Sequence, residues 1–249
     1  MLQKLDFPDA QLFLQGAHLT HFKDWLFLSS RSHFEEGRSI RGGIPVVFPW
    51  FGPNKNDPAL PQHGWARTAK WEIESQSQSN ATLRLARDQW EVRLSFDFGD
   101  PLQIQFSARN VGEQPRSFEC ALHTYFAVSD IARVEIEGLD GREYIDKPNH
   151  FVRQKQNGPL YFTGEVDWVF PDAPSPISIR DGATGYELRG DWNSAVVWNP
   201  WEDKAAAMSD LGADEWRRFV CVEVGAVAEG AVELSAGEMW NLSLEISRL

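Results

Sequence analysis

The chain has 249 residues, of which 42% are hydrophobic, and a formal net charge of −12. That length and apolar share support a large core within a single domain over residues 1–249, while the acidic balance argues against nucleic acid and anionic membrane as partners, because phosphate backbones and acidic lipids are held by excess Lys and Arg. Cys120 and Cys221 both lie in apolar runs and read as reduced thiols rather than a disulfide; no basic start leads into a long apolar run, and no stretch reaches membrane-spanning length, so the expected compartment is the cytoplasm.

Taken in chain order, Gln11–Gly16 gives a short strand that continues into Ala17–Thr20, and Trp25–Leu28 reads as a second. Arg41–Arg67 follows, dense in Pro and Gly yet apolar at Ile44, Val46, Val47, Phe48, Trp50 and Phe51. Such a run is neither a regular helix nor a central strand. It is either the wall of a binding site or a structural crossover between sheets. Trp71–Glu74 and Thr82–Leu85 flank a polar turn and predict a hairpin.

The clearest periodicity comes next. Trp90, Val92, Leu94, Phe96 and Phe98 alternate with polar residues, and after a Gly-Asp-Pro turn Leu102, Ile104, Phe106 and Ala108 do the same. Period two over both segments predicts a half-buried antiparallel pair. Trp240, Leu242, Leu244 and Ile246 repeat the pattern at the end of the chain. Between them, Ser117–Val128, Val134–Glu137, Ile177–Arg180, Tyr186–Leu188, Ala195–Trp198 and Phe219–Val224 read as strands, and Asp210–Arg218 offers one or two helical turns. Many strands, frequent turns and no βαβ rhythm predict an all-β, antiparallel β-sandwich with little helix.

Two residues stand out chemically. In Ser117–Val128, read as one strand, His123 shares a face with Ser117, Glu119, Ala121 and Tyr125. In Phe219–Gly225, Glu223 interrupts an apolar run, where a charge is costly unless paired or functional. Alone, each is as well explained by a structural role. Together they suggest an acid–base couple, if the fold brings them face to face. Asp167 is a candidate acceptor of sugar hydroxyls or a turn cap, and Asp210, Asp214 and Glu215 read as helix-entry charges. Trp50, Trp65 and Trp198 could stack on a sugar, although most tryptophans are core. His18, His21, His33, His63, His123 and His150 show no metal-ligand spacing, and no nucleotide-binding or serine-hydrolase motif is present, so neither metal nor cofactor is expected.

The segments GAHLTHFKDWLFLS, IRGGIPVVFPWFG, LPQHGWAR, LHTYFAV, FTGEVDWVF, VVWNPW and MSDLGADEWRRFVCVEVG, in this order, resemble the aldose 1-epimerase (mutarotase) superfamily, and within it the hexose-6-phosphate mutarotase branch. The resemblance runs nearly end to end. It implies a galactose mutarotase-like β-supersandwich and interconversion of the anomers of a hexose 6-phosphate, glucose 6-phosphate among them, without a cofactor. By resemblance His123 takes the place of the catalytic acid and Glu223 that of the base. Arg41, Gln62 and Arg67 fit substrate-binding positions, Asp167 the hydroxyl acceptor, and His63 a secondary position lining the site. Many relatives carry Gln where this chain has Trp50. Action on unphosphorylated sugars, and a non-catalytic sugar-phosphate-binding protein, are the competing readings. A small-molecule hexose phosphate is the expected partner, and a monomer the default state.

Overall fold

The computed structural model describes residues 2–249. Two large antiparallel sheets dominate, one of nine strands and one of eight, with a three-stranded sheet near the N-terminus and a two-stranded ribbon beside them. The alternating segments build the nine-stranded sheet: Trp90–Asp97 pairs with Leu102–Asn110, which pairs in turn with Met239–Arg248. Each turns its apolar side inward, so that Val92, Leu94, Ile104, Phe106, Leu242 and Leu244 are buried. The outer face carries ion pairs such as Arg84–Glu72 and Arg93–Glu74. This is the inside-apolar, outside-polar pattern of a sheet wetted on one face.

The eight-stranded sheet differs. Its Phe219–Ala226 strand is buried along its whole length and pairs with Ser194–Asn199 on one side and with Cys120–Leu122 and Tyr125–Ala127 on the other. Val220, Val222 and Val224 occupy one face, and Cys221, Glu223 and Gly225 the opposite one. Covering on both faces accounts for the near-continuous apolar run. Phe126 meets Tyr186 (5.0 Å between ring centroids) across the core between the two sheets, and Phe118 of the ribbon packs on Trp240 of the nine-stranded sheet (5.7 Å).

Two local expectations are corrected. Trp25–Leu28 is not a strand; Leu26 and Leu28 make only isolated bridges, to Phe126 and Gly42. Ser117–Val128 is not one strand but three short ones, because Phe118 belongs to the two-stranded ribbon and the backbone breaks again at His123–Thr124, where Thr124 N–H turns back to the Leu122 carbonyl. Asp210–Arg218 supplies one helical turn, a 3₁₀ turn at Glu215–Arg218, as expected, whereas Trp201–Ala206 is an α-helix that the sequence pattern did not suggest.

Arg41–Arg67 serves as a crossover and also lines a cleft. It crosses the molecule, contributes the two-residue strand Val46–Val47 to the edge of the eight-stranded sheet, and bridges Phe48 to Gly64. Gly64 is required there: with φ 74° and a Phe48 carbonyl only 1.9 Å from where a Cβ would sit, no side chain fits. The same stretch brings Arg41, Gln62, His63 and Arg67 to one cleft. Both cysteines are free and buried. Among the described residues no helix is long and apolar enough to cross a membrane.

Candidate active site

Strand register assembles the centre of the site. Leu122 lies opposite Val224, and Tyr125 opposite Cys221. The two short strands thus keep one register across the break between them, and His123 falls opposite Glu223. Residues opposite each other in an antiparallel pair share a face. Val196 extends this row from Glu223, followed by Val169 and Ile145. One row along lie Tyr125, Cys221, Trp198 and Asp167. The cleft over this face has a volume of about 700 Å³ and is lined by His123, Glu223, Asp167, Trp198 and the residues delivered by the crossover.

His123 Nε2 lies 3.2 Å from Glu223 Oε1, with the two side chains 9% and 2% exposed. The His123 ring stacks on Tyr125 at 4.9 Å, nearly parallel, and meets the edge of Trp198 at 5.8 Å. His123 Nδ1 and Glu223 Oε2 are buried without a protein partner. Burial is the main influence on both groups. It pushes the His123 pKa well below 6.5, helped by His63, Arg41 and Arg67, and it raises that of Glu223 well above 4.5, helped by Asp167. An imidazolium and a carboxylate, as the acid–base roles require, are therefore not the favoured forms in the free protein; the neutral pair is. The two forms contain the same number of protons and differ by one transfer along the 3.2 Å contact. Lys147 and Arg67 pull the other way, toward a Glu223 carboxylate.

Two arginines stand beside the pair. Arg41 Nε and Nη2 donate to Asp210 Oδ2 at 3.2 and 3.0 Å, and Nη1 donates to the Tyr125 hydroxyl at 2.9 Å. Burial opposes its charge, but Tyr125 and Asp210 more than offset this and hold its pKa above the ordinary value. Asp210 is thus the partner of Arg41 rather than a helix-entry charge. Arg67 donates from Nη2 to the Gln62 carbonyl at 2.7 Å, while its Nε is buried without a partner. Burial lowers its pKa to about 10, so it stays charged at neutral pH. Gln62 is exposed at the rim. His63 adopts φ 63°, and its Nδ1 accepts the Gly52 N–H at 3.2 Å. Burial, with Arg67, Lys147 and Arg41, pushes its pKa down to about 3. Asp167 is held by Lys147, whose Nζ donates to Oδ1 at 2.7 Å.

The cleft therefore gathers the two catalytic and five substrate-binding candidates and, of the three tryptophans considered for stacking, Trp198 but not Trp50 or Trp65. Four others were missed. Tyr125 ties His123 to Arg41 and could have been suspected from its place two residues along the same strand face. Lys147 and Asp210 come from loops with no local pattern. Glu119 was placed beside His123 but given no role; its carboxylate accepts Phe51 N–H at 3.1 Å and Ala228 N–H at 2.9 Å, fastening two walls of the cleft together. His18, by contrast, is structural: it is buried and bonded to the Gly42 carbonyl.

A model of the aldose 1-epimerase family matches residues 6–247. The chain belongs to that family of carbohydrate epimerases. A relative from Cenchrus ciliaris, provisionally named glucose-6-phosphate 1-epimerase, is 34% identical over 96% of this chain and 80% of its own length. One of the same provisional name from Escherichia coli strain K12 is 32% identical over 88% of this chain and 80% of its own. Among solved structures, a provisionally named mutarotase (YeaD) from Salmonella typhimurium superposes on this epimerase-family chain with a TM-score of 0.88 and 28% identity, covering 98% of this chain and 89% of that one. A galactose mutarotase-like protein from Lactobacillus casei, 15% identical with a TM-score of 0.75, shares the fold.

Proposed function

We propose that this protein interconverts the α and β anomers of hexose 6-phosphates, with glucose 6-phosphate as the reference substrate. The opposed His123–Glu223 pair carries this reading, since ring opening needs one proton removed and one supplied at neighbouring oxygens. As carboxylate, Glu223 takes the proton from the C1 hydroxyl. As imidazolium, His123 gives a proton to the ring oxygen while the C1–O5 bond breaks. The free aldehyde turns about C1–C2, the ring oxygen attacks the other face of C1, and both transfers reverse. No electrons are exchanged with a second compound, and the pair ends with the proton count with which it began. Asp167, oriented by Lys147, accepts hydroxyl hydrogen bonds, and Gln62 and His63 bound the sugar at the rim.

The preference for a phosphorylated sugar rests on the relatives' names and on Arg41 and Arg67, two cations beside the pair in a chain of net charge −12. Guanidinium groups match phosphate oxygens, and here they also repel a proton on His123. A phosphate on the arginines offsets that repulsion, so the substrate favours the charged form of the pair that reacts. One observation favours action on unphosphorylated sugars instead: Arg41 already has Asp210 as a counter-charge.

The test is anomer exchange by His123→Ala and Glu223→Ala proteins, with folding checked by circular dichroism. Both should lose exchange by at least about 10²-fold. A folded Glu223→Ala protein with full activity would refute the assignment.

A further inference from the structure

The hairpin formed by Glu143–Asp146 and Val152–Lys155 lies at one edge of the eight-stranded sheet. Its loop, 147–151, is anchored in the site at one end only: Lys147 N–H donates to the Asp167 carbonyl at 3.2 Å, and Lys147 Nζ to the Asp167 carboxylate. At the other end, His150 and Phe151 have φ values of 54° and 60°, two successive non-glycine residues in the left-handed region. That conformation suits Gly or Asn and is unfavourable for a bulky side chain. Packing does not compensate. Phe151 is 67% exposed and belongs to neither the core nor the residues packed against it. It does line the cleft that holds His123, Glu223 and Asp167.

Val152 N–H closes on the Asn149 carbonyl at 3.1 Å, so the two left-handed residues are the central pair of the hairpin's turn; the turn explains the backbone but not a large apolar ring left in water at a position that suits Gly, a choice retained where the ring serves a site. We infer that Phe151 is a specificity-determining wall of the sugar subsite, its ring covering the C–H face of the bound pyranose. The left-handed turn holds the ring at the mouth of the cleft, and substrate supplies the apolar contact that the protein does not. A sugar's C–H face and an aromatic ring both leave water in this contact, so the gain falls on binding rather than on proton transfer. The inference rests on the proposed function of the cleft.

The test compares wild type, Phe151→Gly, Phe151→Tyr and His150→Gly. Exchange of glucose 6-phosphate anomers, followed by NMR over a range of sugar concentrations, gives KM and kcat; thermal unfolding gives Tm. Phe151→Gly should raise KM about tenfold, with a smaller effect on kcat, while Tm stays level or rises by about 2–4 °C as the turn relaxes. Phe151→Tyr keeps the aromatic face and should keep KM within about twofold. His150→Gly relaxes the neighbouring residue without removing the ring, and should likewise leave KM within about twofold. An unchanged KM in Phe151→Gly, or an equal rise in His150→Gly, would overturn the role of Phe151 while leaving the epimerase reading intact. A wild type without exchange activity would overturn both.

Discussion

Replacing Glu223 by Gln separates what this carboxyl does for catalysis from what it does to stability. The substitution keeps the volume and a hydrogen-bonding group at 3.2 Å from His123 but removes the proton acceptor. A lost proton transfer costs about 10²–10⁴-fold in rate, or roughly 2.7–5.5 kcal/mol of barrier. Stability should move in the opposite direction. Burial raises the folded pKa of Glu223 well above the ordinary 4.5, so the folded protein binds this proton more tightly than the unfolded chain does. The resulting contribution is complete below pH 4.5 and is lost as pH rises toward the folded pKa, at about 1.4 kcal/mol per pH unit. Glutamine has no proton to lose. The Tm of Glu223→Gln minus that of wild type should therefore widen as pH rises above about 4.5, by roughly 3–6 °C per unit. His123 is coupled to Glu223 across the 3.2 Å contact, so the same pair of melts in a His123→Ala background isolates the Glu223 titration. Thermal melts at pH 4 to 7.5, with anomer exchange on the same samples, make the measurement. A Tm difference independent of pH would mean that Glu223 is ionised throughout in the folded protein, and would refute the argument from burial.

Other consequences follow from the same geometry. Arg67→Ala should raise KM for glucose 6-phosphate far more than for glucose; equal effects on both would remove the phosphate from the site. Because burial and the two arginines disfavour a proton on His123, its ring resonances should titrate below pH 6.5 in the free protein, and should move upward when inorganic phosphate is added; a midpoint at or above 6.5 before addition would contradict this. Asn199 is fully buried and donates from Nδ2 to the Trp216 and Phe219 carbonyls while its Oδ1 accepts Trp201 N–H. Asn199→Ala strands three backbone groups and should cost about 3 kcal/mol, a Tm drop of roughly 6–12 °C. A Tm within a degree of wild type would show that the helix at Trp201–Ala206 does not depend on this side chain.

Sequence pattern reached the fold where one face of a sheet is wet. Trp90–Phe98, Leu102–Ala108 and Trp240–Ile246 alternate because every second residue meets water, and they form adjacent strands of one sheet. It failed where both faces are covered. From Cys120 to Phe126 every position is buried, so parity carried no record of the break at His123–Thr124. The two central residues were visible for unequal reasons. Glu223 announces itself, since a carboxyl in an apolar strand needs an explanation. His123 does so less; its strand face marked it only as a candidate, its place opposite Glu223 depends on the register between strands far apart in the chain, and the family resemblance gave it its role. Asp210 and Lys147 lie in loops, where position follows from tertiary contacts alone. The charge states were the part least legible, because burial, which inverts the simple expectation for both members of the pair, is a property of the fold.

The most direct measurement of the central claim is anomer exchange by NMR at equilibrium, on glucose 6-phosphate and on glucose at equal concentration, against the uncatalysed rate in the same buffer. Faster exchange of the phosphorylated sugar, with glucose left near its uncatalysed rate, is the predicted result. Acceleration of both alike would keep the epimerase and remove the role given to Arg41 and Arg67. No acceleration of either would contradict the account.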